Sequence, residues 1–390
     1  MHALILAVLA IASAQEIELV ESAPVETTLD HADLRNADVV WLEMIAGANA
    51  SLDFAQFYVS NRAGSRLEGV VRAIEVSAAR GVKVRFLAEE KFHKTYPETL
   101  DRLAQVEGIV VRRFDVAKSF GGVLHAKYFV VDGAEVFIGS QNFDWRSLEH
   151  IVELGLRVRA PETARAFQDV FNADWQIAAG EKIDVAVAPL REKFALPEKV
   201  GESTITPRFS PLVGVPDDSW WDLPTLVEWI DGAKHSVRVE VLTYKTVGRD
   251  KQYWGELESA LRRAAARGVR VQLLVADWSK RAGTIEGLQS LEPLQNLDVK
   301  MVTIPPHSGG HVPYARVIHA KYMTVDGARA WLGTSNWERD YFEQSRNASL
   351  FVEGAALAGR LERFFDELWG SPYAYAVDPS AKYEPPKIGD

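Results

Sequence analysis

His125-Ala-Lys127-Tyr-Phe-Val-Val-Asp132-Gly-Ala-Glu-Val-Phe-Ile-Gly139-Ser-Gln-Asn142 is answered 194 positions later by His319-Ala-Lys321-Tyr-Met-Thr-Val-Asp326-Gly-Ala-Arg-Ala-Trp-Leu-Gly333-Thr-Ser-Asn336. Five chemically distinct positions, His, Lys, Asp, Gly and Asn, return in register without a gap. A duplicated chain repeats its special residues at a constant offset, so two similar halves are expected. In each copy an apolar run, an Asp-Gly pair and a second apolar run predict a β-hairpin. Side chains alternate along a strand, so His125 and Lys127 should project from one face, as should His319 and Lys321.

The repeat extends upstream. Ala50–Tyr58 and His235–Tyr244 are alternating apolar runs that read as strands. Leu67–Arg80 and Leu257–Arg267 carry apolar residues at helical spacing, and both end in Arg-Gly-Val before a further strand, Lys83–Ala88 or Arg270–Ala276. The resulting expectation is an α/β fold of two lobes, each a mixed β-sheet flanked by helices, related by a pseudo-twofold axis with a site at the seam. The first lobe is expected over residues 25–186 and the second over 224–378. Between them, 187–223 holds Pro189, Pro197, Pro207, Pro211 and Pro216 with little periodicity and reads as a connector. Residues 379–390 read as a surface tail.

Composition narrows the chemistry. The 390-residue chain has no cysteine, which excludes disulfides, thiolate metal ligands and a cysteine nucleophile. Its formal charge of −10 argues against a broad basic face for duplex nucleic acid, though not against a local basic cleft. Residues 1–14, an apolar run closing on Ala12-Ser13-Ala14, have the form of a cleavable secretory signal, which predicts a secreted or periplasmic protein. That run is too short for a permanent anchor, and no transmembrane span is expected in the mature chain.

Two His, two Lys and two Asn supply the groups that phosphodiester cleavage by double displacement needs. These are a nucleophile that can leave again, an acid for the departing oxygen, and donors around the non-bridging oxygens. Imidazole suits both of the first two tasks, because its unperturbed pKa of about 6.5 lets one ring be neutral and another protonated at mild pH. A lone His near a strand is usually a satisfied polar residue, and a lone Lys or Asp is usually solvated. Six such residues repeated in register are not explained that way. Asn142 and Asn336 have the duller alternative of turn asparagines.

The motif His125 to Asn142 resembles the HxKxxxxDxxxxxxGSxN signature of the phospholipase D superfamily without departure, and His319 to Asn336 departs only at Thr334. The wider wording, Gly122–Asp132, Gly139–Leu148, Val312–Met323, Gly333–Phe342 and Trp369–Tyr373, is most similar to the branch holding lysosomal phospholipase-D-like 5′ exonucleases and a poxvirus envelope phospholipase. The resemblance implies a catalytic set of His125, Lys127, Asp132, His319, Lys321 and Asp326, with Asn142 and Asn336 cradling the phosphoryl oxygens and no metal or other cofactor. It implies that Asp132 and Asp326 orient the histidines, pairing with the ring of either half. A Glu beyond the first motif orients the first-half His in relatives. Glu153 stands at that place, and the residue 194 positions on is Asn347, so His125 is expected as the nucleophile and His319 as the general acid.

The expected substrate is a phosphodiester. Single-stranded DNA or RNA cut by a 5′ exonuclease is the first reading, and a phospholipid cut by a phospholipase D or transphosphatidylase is the second. A non-catalytic binding or envelope protein is a third, which two intact motifs disfavour. Phe143, Trp145, Trp278, Trp337, Tyr341 and Phe342 crowd the motifs and could stack on bases, floor a lipid pocket or fill the core. One chain carries both motifs, so a monomer suffices for one site and a dimer is allowed.

Overall fold

The computed structural model describes residues 16–182, 196–216 and 218–390. The expected signal segment, residues 183–186 at the end of the expected first lobe, and residues 187–195 and 217 of the expected connector lie outside them. Two large mixed sheets are built on one plan. In the first, the spatial order is Arg35–Asn36, Glu16–Ser22, Ile151–Arg159, Glu135–Gly139, Tyr128–Val131, Ser51–Gln56, Lys83–Glu89 and Ile109–Phe114. In the second it is Glu198–Val200, Ser203–Ser210, Asn347–Glu353, Arg329–Gly333, Tyr322–Val325, Ser236–Val241, Arg270–Ala276, Leu297–Val302 and Ala374–Ala376. The α/β expectation of two similar lobes holds.

Helix Arg66–Ala79 shows why the units repeat. Leu67, Val70, Val71, Ile74 and Ala78 fall on one stripe and are buried, and Gly81 ends the helix at φ +94°. Helix Glu256–Ala266 buries Leu257, Ala260, Leu261 and Ala264 in the same way and is ended by Gly268 at φ +89°. A left-handed backbone costs glycine nothing sterically, which is why Arg-Gly-Val marks both helix-to-strand turns.

Three apolar clusters divide the molecule. One lies under the outer helices of the first sheet around Trp41, Phe54 and Phe86, and another under those of the second around Trp331, Trp337 and Leu261. The third joins the lobes, drawing Leu124, Tyr128 and Leu154 from one half and Ile318, Tyr322 and Leu350 from the other. Each fully buried aliphatic or aromatic side chain of this kind contributes about 1.5–3 kcal/mol.

The connector expectation needs correction at its described end. Ser203–Ser210 is a full strand of the second sheet, antiparallel to Asn347–Glu353, and matches Glu16–Ser22 against Ile151–Arg159. Pro207 disguises it. Its neighbour Glu198–Val200 pairs only as far as Ile205, so Pro207 sits where that side of the strand is open and its missing N–H leaves no ladder bond unmade. The tail past 379 forms no helix or strand but docks on the loop before the second motif, where Tyr314 N–H donates to Ile388 O at 2.7 Å. Among the described residues no helix is long and apolar enough to cross a membrane.

Candidate active site

The two motifs meet at the seam because each is pinned to the strand start of the other half. His125 N–H donates to Arg346 O and His319 N–H donates to Val152 O, both at 2.8 Å. Ile151 and Val152 pair in parallel with Val317 and Ile318, and Leu124 bridges to Arg346 in the equivalent place. Arg346 is itself wholly buried, held by Asp174 at 2.9 Å and by the carbonyls of Ser210 and Gly214. The His-x-Lys spacing then does what alternation predicts. Lys127 Nζ donates to His125 O at 2.6 Å, and Lys321 Nζ donates to His319 O.

The groups behind the rings are crossed. Glu153, wholly buried, accepts from His319 Nδ1 at 2.9 Å through Oε2 and from Ser147 Oγ at 2.9 Å through Oε1. Asn347 Oδ1 faces His125 Nδ1 at 3.1 Å. The amide orientation is determined by its surroundings, since Asn347 Nδ2 donates to Tyr341 O at 2.7 Å and Oδ1 also accepts from Thr334 Oγ1 at 2.8 Å. Both rings thereby carry their proton on Nδ1 and present Nε2 outward. The expectation that Glu153 orients His125 is therefore corrected: it orients His319, and as an orienting carboxylate rather than a substrate contact. The assignment of His125 as nucleophile rested on that carboxylate and loses its support. Thr334 keeps the hydroxyl that serine would supply there, and it fixes the amide behind His125.

Asp132 and Asp326 are corrected too. Asp132 accepts from the backbone N–H groups of Asn49, Ala50 and Ser51 at 2.9, 2.7 and 2.8 Å, and Asp326 does the same for Lys234, His235 and Ser236. Neither touches His125 or His319. Both sit at positive φ, +52° and +54°, as the first residue of the Asp-Gly hairpin turn. Seven extended residues at about 3.3 Å each put such a carboxylate on the order of 20 Å along the chain from its own His. They clamp the hairpin to the neighbouring strand.

Burial sets the electrostatics. It pulls the His125 ring well below its ordinary range, and the Lys127, Lys321 and His319 charges pull it further. His319 is lowered by burial as well, against an upward pull from Glu153. Lys127 falls well below the usual lysine range through burial and Lys321, and Lys321 falls to about 7 through burial, with Glu153 and Glu240 opposing. Burial alone would raise Glu153, but His319 and Lys321 hold it below the ordinary carboxylate value. The carboxylate held low beside the rings, Glu153, thus lies behind His319.

Asn142 and Asn336 follow the second strand of each hairpin and are buried, and their Oδ1 atoms have no partner within the protein. It is the Nδ2–H groups, not these acceptor oxygens, that could donate to a phosphoryl oxygen, and the Asn336 side chain also bonds Tyr341. Of the six aromatics near the motifs, Phe143, Trp337 and Phe342 are core. Tyr341 packs edge-on to the His125 ring at 4.7 Å, opposite Phe57 at 4.9 Å. Phe57 gave no sequence signal beyond an alternating strand, because its neighbourhood forms only when the halves meet.

The family model described as cardiolipin synthase, PLD-like domain, matches residues 41–175 and 226–369. The chain is 32% identical to the bovine (Bos taurus) 5′-3′ exonuclease PLD3, covering 94% of this chain and 81% of that one. It is 30% identical to phospholipase D Z of Dictyostelium discoideum, covering 93% and 90%, and 30% identical to the virion nicking-joining enzyme of vaccinia virus (strain Western Reserve), covering 92% and 89%. Among solved structures, phosphatidylserine synthase of Haemophilus influenzae Rd KW20 matches the fold with a TM-score of 0.66 at 12% identity, over 94% of this chain and 90% of that one.

Proposed function

The chain belongs to the phospholipase D superfamily, carrying its PLD-like domain twice, and on that premise we propose that it is a phosphodiesterase that shortens single-stranded nucleic acid from a 5′ end through a phosphohistidine on His319. The observation that carries the choice of nucleophile is Glu153 at 2.9 Å from His319 Nδ1, against a neutral amide behind His125. When Nε2 bonds to phosphorus the ring becomes a cation, and a carboxylate on its other nitrogen stabilises that cation far better than an amide does.

In the first step His319 Nε2 attacks phosphorus, the bond to the leaving oxygen breaks, and His125 Nε2–H protonates that oxygen. In the second step His125, now neutral, takes a proton from water as the water oxygen attacks phosphorus and His319 leaves. Lys127, Lys321, Asn142 and Asn336 donate to the non-bridging oxygens in both steps. A phosphate anion entering the site raises both lysines and His125 toward their charged forms, so substrate binding itself charges the acid.

The nucleic-acid reading draws on the two relatives named as an exonuclease and a nicking-joining enzyme. The relative named as a phospholipase D keeps a lipid substrate as the second reading, since the covalent chemistry is the same. Purified protein in EDTA, offered 5′-hydroxyl single-stranded oligonucleotides and phosphatidylcholine vesicles, is expected to shorten the oligonucleotides stepwise. Denaturation at alkaline pH, where the phosphorus–nitrogen bond survives, is expected to trap the 5′-terminal nucleotide on His319 through its phosphoryl group, and His319→Ala to abolish both. Head-group release without oligonucleotide shortening replaces the first reading with the second.

A further inference from the structure

From the His125 ring a belt of planar side chains runs out along the first lobe only. Phe57 packs on His125 at 4.9 Å and adjoins Tyr58 at 5.3 Å, and Tyr58 stacks on Tyr96 at 4.9 Å. Arg146 Nη2 bonds the Tyr96 hydroxyl at 3.2 Å and its guanidinium lies 5.9 Å from the Trp145 ring. The exposed Arg62 guanidinium lies over the other part of Trp145 at 3.6 Å, and His150 meets Trp145 edge-on at 5.3 Å. The belt ends in a groove of about 440 Å³ between Arg62, Trp145, His150 and His307.

His150 is 4% exposed and its Nδ1 has no partner, so a buried polar atom at this groove awaits one. The groove stands beside the motif-bearing segment, since His150 O accepts from Arg316 N–H, next in sequence to the Val317–Ile318 pairing that holds His319. The pseudo-symmetric flank is different. Trp145, Arg146 and His150 are matched there by Arg339, Asp340 and Gln344. Arg339 is bound by Glu343 at 2.6 Å and Asp250 at 2.9 Å, and Asp340 by Arg249 at 2.5 Å, so that flank is closed by its own ion pairs.

We propose that this first-lobe belt, centred on Trp145 and Arg62, is a base-stacking subsite for the unpaired nucleotides that continue away from the scissile phosphate. The inference rests on the nucleic-acid reading above and adds the side on which the strand lies. Base faces rather than phosphates are what the groove recognises, because Glu149 offsets the charge of Arg62 and Glu26 adds a second carboxylate beside His307. Aromatic and guanidinium faces hold bases of any sequence by stacking, a contact that tolerates a modest net negative charge.

The test uses the full chain with His319→Ala, so that nothing is cut, and a labelled 5′-hydroxyl hexathymidylate. Adding Trp145→Ala, or the exposed Arg62→Ala, should weaken binding roughly 5- to 150-fold. The same oligonucleotide with abasic second and third positions should bind the parent as weakly, and Trp145→Ala should then cost nothing further. A merely structural role would weaken both oligonucleotides alike. No binding to the parent, no loss in either variant, equal loss on both oligonucleotides, or a loss confined to phosphatidylcholine vesicles each overturns the proposal. If this pattern holds but wild type leaves the strand uncut, the exonuclease reading fails and the subsite stands.

Discussion

Glu153 and Asn347 occupy equivalent places 194 positions apart, and each lies behind the histidine of the opposite half, at 2.9 Å from His319 and 3.1 Å from His125. A symmetric scaffold thus holds two rings that differ in the charge of their supports.

Glu153→Gln should lower kcat by about 10²–10⁴-fold, the range in which loss of a carboxylate behind a catalytic imidazole falls, and should reduce the phosphohistidine trapped by alkaline denaturation. Asn347→Asp should do less to the first step but raise the pKa of His125, moving the alkaline limb of the kcat profile upward. An unchanged profile in Asn347→Asp together with full activity in Glu153→Gln would remove the basis for the assignment.

Activity should be greatest in mild acid. The cations of the site have depressed pKa values, Lys321 at about 7 and His125 well below its usual value, so each loses its proton as pH rises through the lowered value. With one essential proton lost, kcat/KM should fall roughly tenfold per unit on the alkaline side. An optimum above pH 8 contradicts this.

Asp132→Asn should act on stability before chemistry. It removes an anionic acceptor from three backbone N–H groups at the strand start and should cost about 1–3 kcal/mol in urea unfolding, while kcat of the folded fraction stays within a few-fold. Those same N–H bonds hold the carboxyl below its ordinary value, so the contribution is present above the unfolded pKa and is lost as pH falls through the lower one. A loss of kcat as large as that of His319→Ala would return Asp132 to the chemistry.

His31 links the halves in a pH-dependent way. Its Nδ1 meets Glu21 and its Nε2 meets Glu367, each at 2.7 Å, with the ring against Phe364 at 4.9 Å. The Glu21 hydrogen bond and both carboxylate charges raise the ring above 6.5, while burial and Arg360 lower it, so stability from this contact is full below the unfolded pKa and lost as pH rises through the higher folded one. His31→Gln should therefore lower Tm more at pH 5 than at pH 8. Equal losses would show packing alone.

Much of this was legible in one dimension. The 194-residue offset revealed the duplication, and strand alternation put His125 with Lys127. What the sequence hid lies between the halves. The resemblance implied that Glu153 orients His125, and nothing local reveals that the strand carrying it pairs across the seam with Val317 and Ile318. Asp132 looked catalytic because it stands in the motif, and only the hairpin's extension shows how far it is carried from the ring. Pro207 suppressed a strand that its edge position permits.

The reciprocal pairing of His125 with Arg346 and of His319 with Val152 has a consequence for inheritance. Neither half owns a finished histidine, since each ring depends on a partner encoded in the other copy. A chain bearing one copy could complete such a centre only by meeting its twin, and both rings would then have identical supports. With both copies in one chain the supports are free to differ, and they do: a glutamate stands behind one imidazole and an asparagine behind the other.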